Sequence, residues 1–494
     1  MPAWDKIRKE EMNRMQGAKL SRFIREQVFP FSPFYRRLFE RDGLKPDDFR
    51  TLKDLRKIPF SSKADIVPTE EDQARPKQII LQPDPSTIKE HLNLRKKLSL
   101  LGCKLRGMDP ARKIAQEYLP VHFIATTGRT GNSTPFVYSM RDVERLGEVG
   151  RRLYTVGGMN DKDIAINIFP YAPHLAFWVV ALGAMRTGVP CFNTGGGKVL
   201  GTERILVTAS KMKATVLTGV PGYIYHLLRV AVDSKIDLSS VRTIALGAER
   251  VTKGHRQKMT EMLRELGSPN PIILGTYGFT EARTAWIECP GEETYGYHLY
   301  PDFEIFEIIN PESGEPVGEG EDGEIVYTNL DWRGSCILRY RTGDYAKGGI
   351  VHDVCPGCGR LGPRLSNDIT RLSNLSEFRL TSVRGTVVNL NDLVPIMTSL
   401  SDVIEWQIEI TKRNEDPYEL DELNLYIAVR DQADRDGLIM TIGEKFAFAT
   451  EVKPSKIHFL TVDEVVHRLE METSQKEQRM IDHRPRICRR GGVD

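Results

Sequence analysis

Apolar and polar positions follow two rhythms along this chain. Between residues 163 and 248, short apolar runs are separated by helical patterns: DIAINIFP (163–170), AFWVVALGAMRTG (176–188) and VPCFN (189–193), then ATVLTGVP (214–221), YIYHLLRVAVD (223–233) and VRTIALGA (241–248). Strand–helix–strand order predicts parallel sheet layers covered by helices. From about residue 303 the runs shorten: FEIFEIINP (303–311), GEIVYTNL (323–330) and CILRYRTGDYA (336–346) read as strands of a β subdomain, about 303–370. Beyond residue 374 a compact α+β pattern takes over, with strands near WQIEIT, ELNLYIAV and KIHFLT. The expected fold is α/β. A large multi-layer N-terminal domain with parallel or mixed sheets (1–374) precedes a small α+β C-terminal domain (375–494). No internal repeat or low-complexity tract is visible.

Composition narrows the class. The 494 residues hold core for about two to four domains. A net charge of +2 gives no reason to expect a nucleic-acid partner. No run of roughly 18 apolar residues exists, so integral membrane association is not expected. The N-terminal stretch MPAWDKIRKEEMNRMQ is charged throughout and lacks an apolar signal core. Seven scattered cysteines do not make a disulfide framework, which favours a reducing cytoplasm. The segment IKEHLNLRKKLSLLGCKLRG (88–107) is basic with helical apolar spacing. It reads as a solvated helix packed by one face rather than as a contact for an anionic surface.

Three segments carry candidate chemistry. ATTGRTGNST (125–134) lies between apolar runs, and its glycines and hydroxyls suit close approach to a phosphate. It lacks the Walker spacing, and a polar turn between strands is the plain alternative. GTYGFTEAR (275–283) reads as a tight glycine-flanked turn. There Tyr277 can stack on a purine, and Glu281 offers oxygen to a hard cation such as Mg²⁺. LRYRTGDYAKGG (338–349) places Asp344 after a Thr-Gly turn, where a carboxylate can accept both hydroxyls of a ribose. A solvated aspartate at a strand end is its plain alternative.

Taken in this order, the three segments resemble the adenylate-forming superfamily of acyl-CoA synthetases, and within it the phenylacetate–CoA ligase family. TTGRTGNST (126–134), YGFTE (277–281) and YRTGD (340–344) are similar to that superfamily's motifs, and GAER (247–250) to its segment beside the adenine. SPFYRRLF with LKDLRKIPFSSKADI, residues 32–66, and RLE with KEQRMID, residues 468–482, resemble the subfamily's two ends. The resemblance implies an ATP-dependent activation of a carboxylic acid, of aryl or arylacetic type, followed by transfer to coenzyme A. It implies ATP/AMP contacts from Thr126, Thr127, Gly128, Thr130, Gly131, Gly247, Ala248, Glu249, Tyr277, Gly278, Thr280 and Asp344, with Mg²⁺ on Glu281. Arg371 takes the place of the ribose-contacting arginine, and Lys476 that of the catalytic lysine. The acid pocket falls on Tyr171, His174, Phe177, Trp178, Pro221, Tyr223 and Gly275. The C-terminal domain is expected to be mobile, and a homodimer is left open.

The chain departs from the family in four places. Asn132 stands where a lysine is usual, with Arg129 as a compensating charge. The hinge aspartate is missing, with Asn374 or Glu377 nearby, and a few extra residues fall within LSNLSEFRLTS (372–382). His174, Phe177 and Trp178 are bulkier than the family's pocket residues; they reshape that pocket or simply pack as a core helix start. The stretch 70–118 before the phosphate loop is longer than usual.

CPGCGR (355–360) is a metal knuckle whose two thiolates suit tetrahedral zinc. Cys289 and His298, just after YGFTE, are expected to complete a structural Cys₃His zinc site with Cys355 and Cys358; His352 is the reserve ligand. Other readings stay open at this point. One is an adenylate-forming enzyme that uses an amine acceptor or transfers AMP to a deazaflavin coenzyme. Another is a degenerate adenylate-binding protein without turnover.

Overall fold

The computed structural model describes residues 4–84, 87–88, 91, 94–126, 134–171, 174–372, 378–379, 387–388, 393–415, 421–450, 452–469 and 478–484. The chain forms two compact units. The first comprises Met1–Gly219, Ile236–Arg250 and Gly267–Ile369; the second comprises Val220–Lys235, Val251–Leu266 and Thr370–Asp494.

In the first unit, β1 (Pro120–Ala125) and β2 (Pro135–Ser139) pair antiparallel on either side of the Gly/Thr-rich loop. A six-stranded sheet follows, built from β3 (Ala165–Asn167), β4 (Cys191–Asn193), β5 (Val216–Gly219), β6 (Thr243–Leu246), β7 (Ile272–Phe279) and β8 (Thr284–Ile287). Its order is β4–β3–β5–β6–β7–β8, and β8 alone runs antiparallel to its neighbour. Every residue of β5 and β6 is buried. This is why those runs are mostly apolar rather than alternating: a parallel strand covered on both faces has no solvent-facing side, and Thr218 and Thr243 are buried too.

The basic segment does form a helix, α1 (Leu94–Leu105). It differs from the expectation in leaving Leu98, Leu101 and Leu105 exposed at 58%, 54% and 81%. A stripe at spacings of three and four is therefore turned outward, while Cys103 is buried. Helix α2 (Met140–Val156) opens on a capping box in which Ser139 and Asp142 satisfy each other's backbone N–H groups. It crosses α3 (Leu175–Thr187) at Gly150 and Gly183, where a Cβ on Gly150 would lie 2.5 Å from the Gly183 Cα. Only glycine at both positions permits that approach.

Downstream, β9 (Tyr297–His298), β10 (Glu304–Ile309), β11 (Gly323–Asn329), β12 (Tyr340–Lys347), β13 (Ile350–Val354), β14 (Leu361–Leu365) and β15 (Asp368–Arg371) form two small sheets. Their orders are β10–β11–β12–β15 and β13–β14–β9. This is the short-strand region read from the sequence.

The second unit contains α4 (Pro221–Asp233), α5 (Lys253–Glu265) and a four-stranded sheet. The sheet has β16 (Val403–Lys412), β17 (Asp421–Val429), β18 (Lys456–Phe459) and β19 (Met480–Asp482) in the order β18–β17–β16–β19. Trp406, Ile408 and Ile410 of β16 and Leu423, Leu425 and Ile427 of β17 alternate onto one face. They pack with Leu438, Ile442 and Phe446, four residues apart along α6 (Arg435–Thr450). Lys258 of α5 donates to the Val403 carbonyl at 2.7 Å. The buried Glu405 carboxylate meets Arg479 at 3.1 Å and Arg229 at 3.9 Å.

Candidate active site

The neck of the Gly/Thr-rich loop is held shut by its own threonines. Thr126 N–H donates to the Thr134 carbonyl at 3.1 Å, and Thr134 N–H donates to Thr126 Oγ1 at 3.0 Å. The loop's tip, with Thr127, Gly128, Arg129, Thr130, Gly131 and Asn132, lies outside the described residues, as do Asn374, Glu377 and Lys476.

Beside the neck stands an aromatic cluster. His174 Nδ1 lies 3.4 Å from the Ala125 carbonyl. The rings of Tyr171, Phe177 and Trp178 meet one another at 5.0–5.9 Å, and Trp178 meets His122 at 4.5 Å. Burial lowers the His122 imidazole below its ordinary pKa. Tyr171 is 64% exposed and Phe177 only 7%. The bulky segment is thus part core and part open surface beside the loop.

The YGFTE stretch is not the turn expected from its glycines. Residues 275–279 belong to β7, and the turn begins only at Thr280. Parallel pairing with β6 sets Gly275 opposite Leu246 and brings the following Gly247–Ala248–Glu249 alongside. A Cβ on Gly247 would lie 2.4 Å from Thr276 Oγ1, so glycine is required there. Ala248 takes a left-handed φ of 73°, a strained corner for a residue with a side chain. Tyr277 stacks on Trp286 and Tyr297, with ring centroids at 5.6 and 5.9 Å.

Tyr277 also donates its hydroxyl to Asp344 Oδ2 at 2.7 Å. Asp344 does not end a strand: it sits inside β12, at an irregularity where pairing with β11 shifts. Gly343, with φ 71°, makes the kink, and Thr342 Oγ1 accepts the Asp344 N–H at 3.0 Å. Glu281 Oε1 accepts from the Tyr340 hydroxyl at 3.3 Å.

Several residues that the sequence reading passed over hold this arrangement. Arg283, fully buried with φ 58°, donates to the Val137 carbonyl of β2 at 3.0 Å and to the Ser335 carbonyl. It lies 3.5 Å from the buried Asp142 carboxylate and 4.2 Å over the Trp332 ring. It thereby ties the turn after Glu281 to the strand leaving the loop. Glu288 accepts the Gly275 N–H at 2.5 Å and the Asn367 side-chain amide at 2.6 Å. Such charged residues look like surface in a sequence, and no local pattern separates them from it.

Glu304 accepts the Trp286 indole N–H and the Tyr300 N–H at 2.5 and 2.9 Å. Burial pushes its carboxyl up to about 8, against the pull of those two hydrogen bonds. The folded chain therefore keeps Glu304 protonated at pH values where an unfolded glutamate has ionised. Its contribution to stability is full below about 4.5 and falls as pH rises toward about 8. Glu304→Gln is expected to flatten that decline and to be the more stable form near pH 8, by on the order of a few kcal/mol. Thermal midpoints of both forms across this range are the check; parallel profiles would place the pH dependence elsewhere.

Cys289, His298, Cys355 and Cys358 converge with their ligand atoms all within 4.8 Å of one another. The reserve ligand His352 is not among them; its Nε2 lies 2.9 Å from the Ile7 carbonyl instead. Pro221 and Tyr223 open α4 and Arg371 ends β15; all three are counted with the second unit.

A sequence profile of the AMP-binding enzyme family matches residues 59–330, more than half of the chain. The chain belongs to the AMP-binding enzyme family. Among curated members it is similar to the phenylacetate-coenzyme A ligase of Thermus thermophilus, 26% identical over 87% of this chain and 84% of that protein. The phenylacetate-coenzyme A ligase of Aromatoleum evansii is 24% identical over 98% and 97%. Among solved structures, a 2-hydroxyisobutyryl-CoA ligase in the postadenylation state, in complex with R3-HIB-AMP, shares the fold with a TM-score of 0.76. Its identity is 19%, and the match covers 98% of this chain and 92% of that one. This AMP-binding enzyme has the mixed α/β fold class read from the sequence.

Proposed function

We propose that the chain is an ATP-dependent acid–thiol ligase. It activates a carboxylic acid of aryl or arylacetic type as the acyl-adenylate, passes the acyl group to coenzyme A and releases AMP. The observation that carries this reading is the Tyr277–Asp344 hydrogen bond at 2.7 Å. It sets an aromatic ring and a buried carboxylate, from segments 67 residues apart, side by side, as recognition of a purine with its ribose requires. Similarity to phenylacetate-coenzyme A ligases over most of the chain supports the acid class and the acceptor.

In the first half-reaction a carboxylate oxygen bonds to the α-phosphorus of ATP, the bond to the β-phosphate oxygen breaks, and pyrophosphate leaves. In the second, the coenzyme A thiolate attacks the acyl carbon and AMP departs with the bridging oxygen. The loop closed at Thr126 and Thr134 is assigned to the β and γ phosphates, since backbone N–H groups and hydroxyls stabilise concentrated negative charge. Gly247, Ala248 and Glu249 with Tyr277, Gly278 and Thr280 are assigned to the adenine side, and Asp344 to the ribose hydroxyls. Glu281 offers the oxygen that Mg²⁺ prefers. Tyr171, His174, Phe177 and Trp178, with Gly275, are assigned to the acid. Among the described residues, the cysteines at 103, 191, 289, 336, 355 and 358 form no disulfide, which suits a reducing cytoplasm. Among the described residues no helix is long and apolar enough to cross a membrane.

The test is pyrophosphate release with a panel of carboxylic acids, with and without coenzyme A. Release that depends on aryl or arylacetic acids, with thioester formed only when coenzyme A is present, is expected. Release without thioester would move the acceptor to an amine or a deazaflavin coenzyme. No release with any acid would leave a nucleotide-binding protein without turnover.

A further inference from the structure

We infer that Cys289, His298, Cys355 and Cys358 form a closed structural zinc site, independent of the ligase reading. Three separate pieces of chain supply the ligands. Cys289 follows β8, His298 lies in β9, and Cys355 and Cys358 occupy the turn between β13 and β14. The turn is built as a knuckle: Cys355 N–H donates to the Arg360 carbonyl and Gly359 N–H to the Cys355 carbonyl, both at 2.9 Å. Gly359 takes φ 70°, which folds the chain back sharply.

The spacing fits the metal. Cys289 Sγ and Cys355 Sγ are 3.5 Å apart, and Cys358 Sγ and His298 Nε2 are also 3.5 Å apart. Tetrahedral zinc, with bonds of about 2.3 Å to sulfur and about 2.0 Å to nitrogen, sets its ligand atoms roughly 3.5–3.8 Å from one another. Cys289, Cys355 and His298 are 2%, 1% and 4% exposed, and the set contains no carboxylate. Soft thiolates with one imidazole select zinc over the hard cations. With four protein ligands no position is left for water, so the site is structural rather than catalytic.

The packing leaves little slack. A Cβ on Gly357 would come 2.7 Å from the Tyr295 ring and 3.2 Å from Cys289 Sγ. One metal would pin the segment after β8 to the β13–β14 hairpin. That segment begins at Glu288, whose carboxylate holds the Gly275 N–H. Loss of the metal should therefore lower stability before it lowers turnover.

Metal analysis of the full chain, purified without added zinc and without metal-affinity resin, is expected to give about one zinc per chain. Replacing it by Co²⁺ after mercurial release should give the intense visible bands of tetrahedral cobalt, with thiolate-to-cobalt charge transfer. Release from the wild-type chain should lower its thermal midpoint, which keeps the test independent of any variant that fails to fold. Cys355→Ser and Cys358→Ser should lose the metal, and Cys103→Ser should keep it. Less than ~0.2 zinc per chain with unchanged stability in the two knuckle variants would overturn the proposal. So would iron in place of zinc, an octahedral cobalt spectrum, or a disulfide among the three cysteines. Pyrophosphate release is read separately, so failure of this proposal and failure of the ligase reading are distinguishable.

Discussion

Lys476→Ala is expected to lower acyl-adenylate formation at least ~100-fold, while thioester formation from preformed acyl-adenylate falls much less. Bringing a carboxylate onto the α-phosphate crowds negative charge, and one ammonium beside both groups cancels part of it as the bond forms. A donor that acts at the transition state in a desolvated site is worth several kcal/mol. The thiol step has no such approach of two anions on phosphorus, so the same lysine has less to do there. The assignment rests on the resemblance of RLE and KEQRMID, residues 468–482. Half-reactions measured separately, pyrophosphate release for the first and thioester from synthetic adenylate for the second, check it. An equal loss in both would give the lysine another role.

The largest loss of stability is expected at Arg283. Arg283→Met removes the guanidinium paired with Asp142 and leaves the Val137 and Ser335 carbonyls without its donors. Asp142 keeps the N–H groups of Ser139, Arg333 and Gly334, but its buried charge then loses its ion-pair partner. Breaking a buried pair from one side costs about 3–5 kcal/mol. Arg283→Lys keeps the charge and loses the planar fork, so it should recover part of that. Denaturant midpoints of the three forms give the measurement. A loss under about 1 kcal/mol for Arg283→Met would show that the backbone groups alone satisfy Asp142.

Those two sites mark what the sequence makes legible. Motifs whose chemistry is tied to a fixed local spacing stand out in the sequence, as with YGFTE, YRTGD and the CPGCGR knuckle. The alternation of apolar runs also located the layers, because buried parallel strands are mostly apolar on both faces. Arg283, Asp142, Glu288 and Glu304 were not legible. A charged residue buried by partners far along the chain has no local signature that separates it from a solvated one. The glycine misled in YGFTE, where residues 277–279 are strand rather than turn: Gly278 serves a close strand contact, not a bend. The exposed stripe of α1 was not foreseen either, since spacing predicts an apolar face but not whether anything covers it.

The central claim is that a carboxylate oxygen attacks the α-phosphate. It is tested most directly by turning over, with ATP and coenzyme A, an acid that supports pyrophosphate release and carries ¹⁸O in its carboxylate. The account predicts one labelled oxygen in AMP and none in pyrophosphate, because the bridging oxygen leaves with AMP when the thiol attacks. Label in a phosphate or pyrophosphate product, with unlabelled AMP, would contradict it.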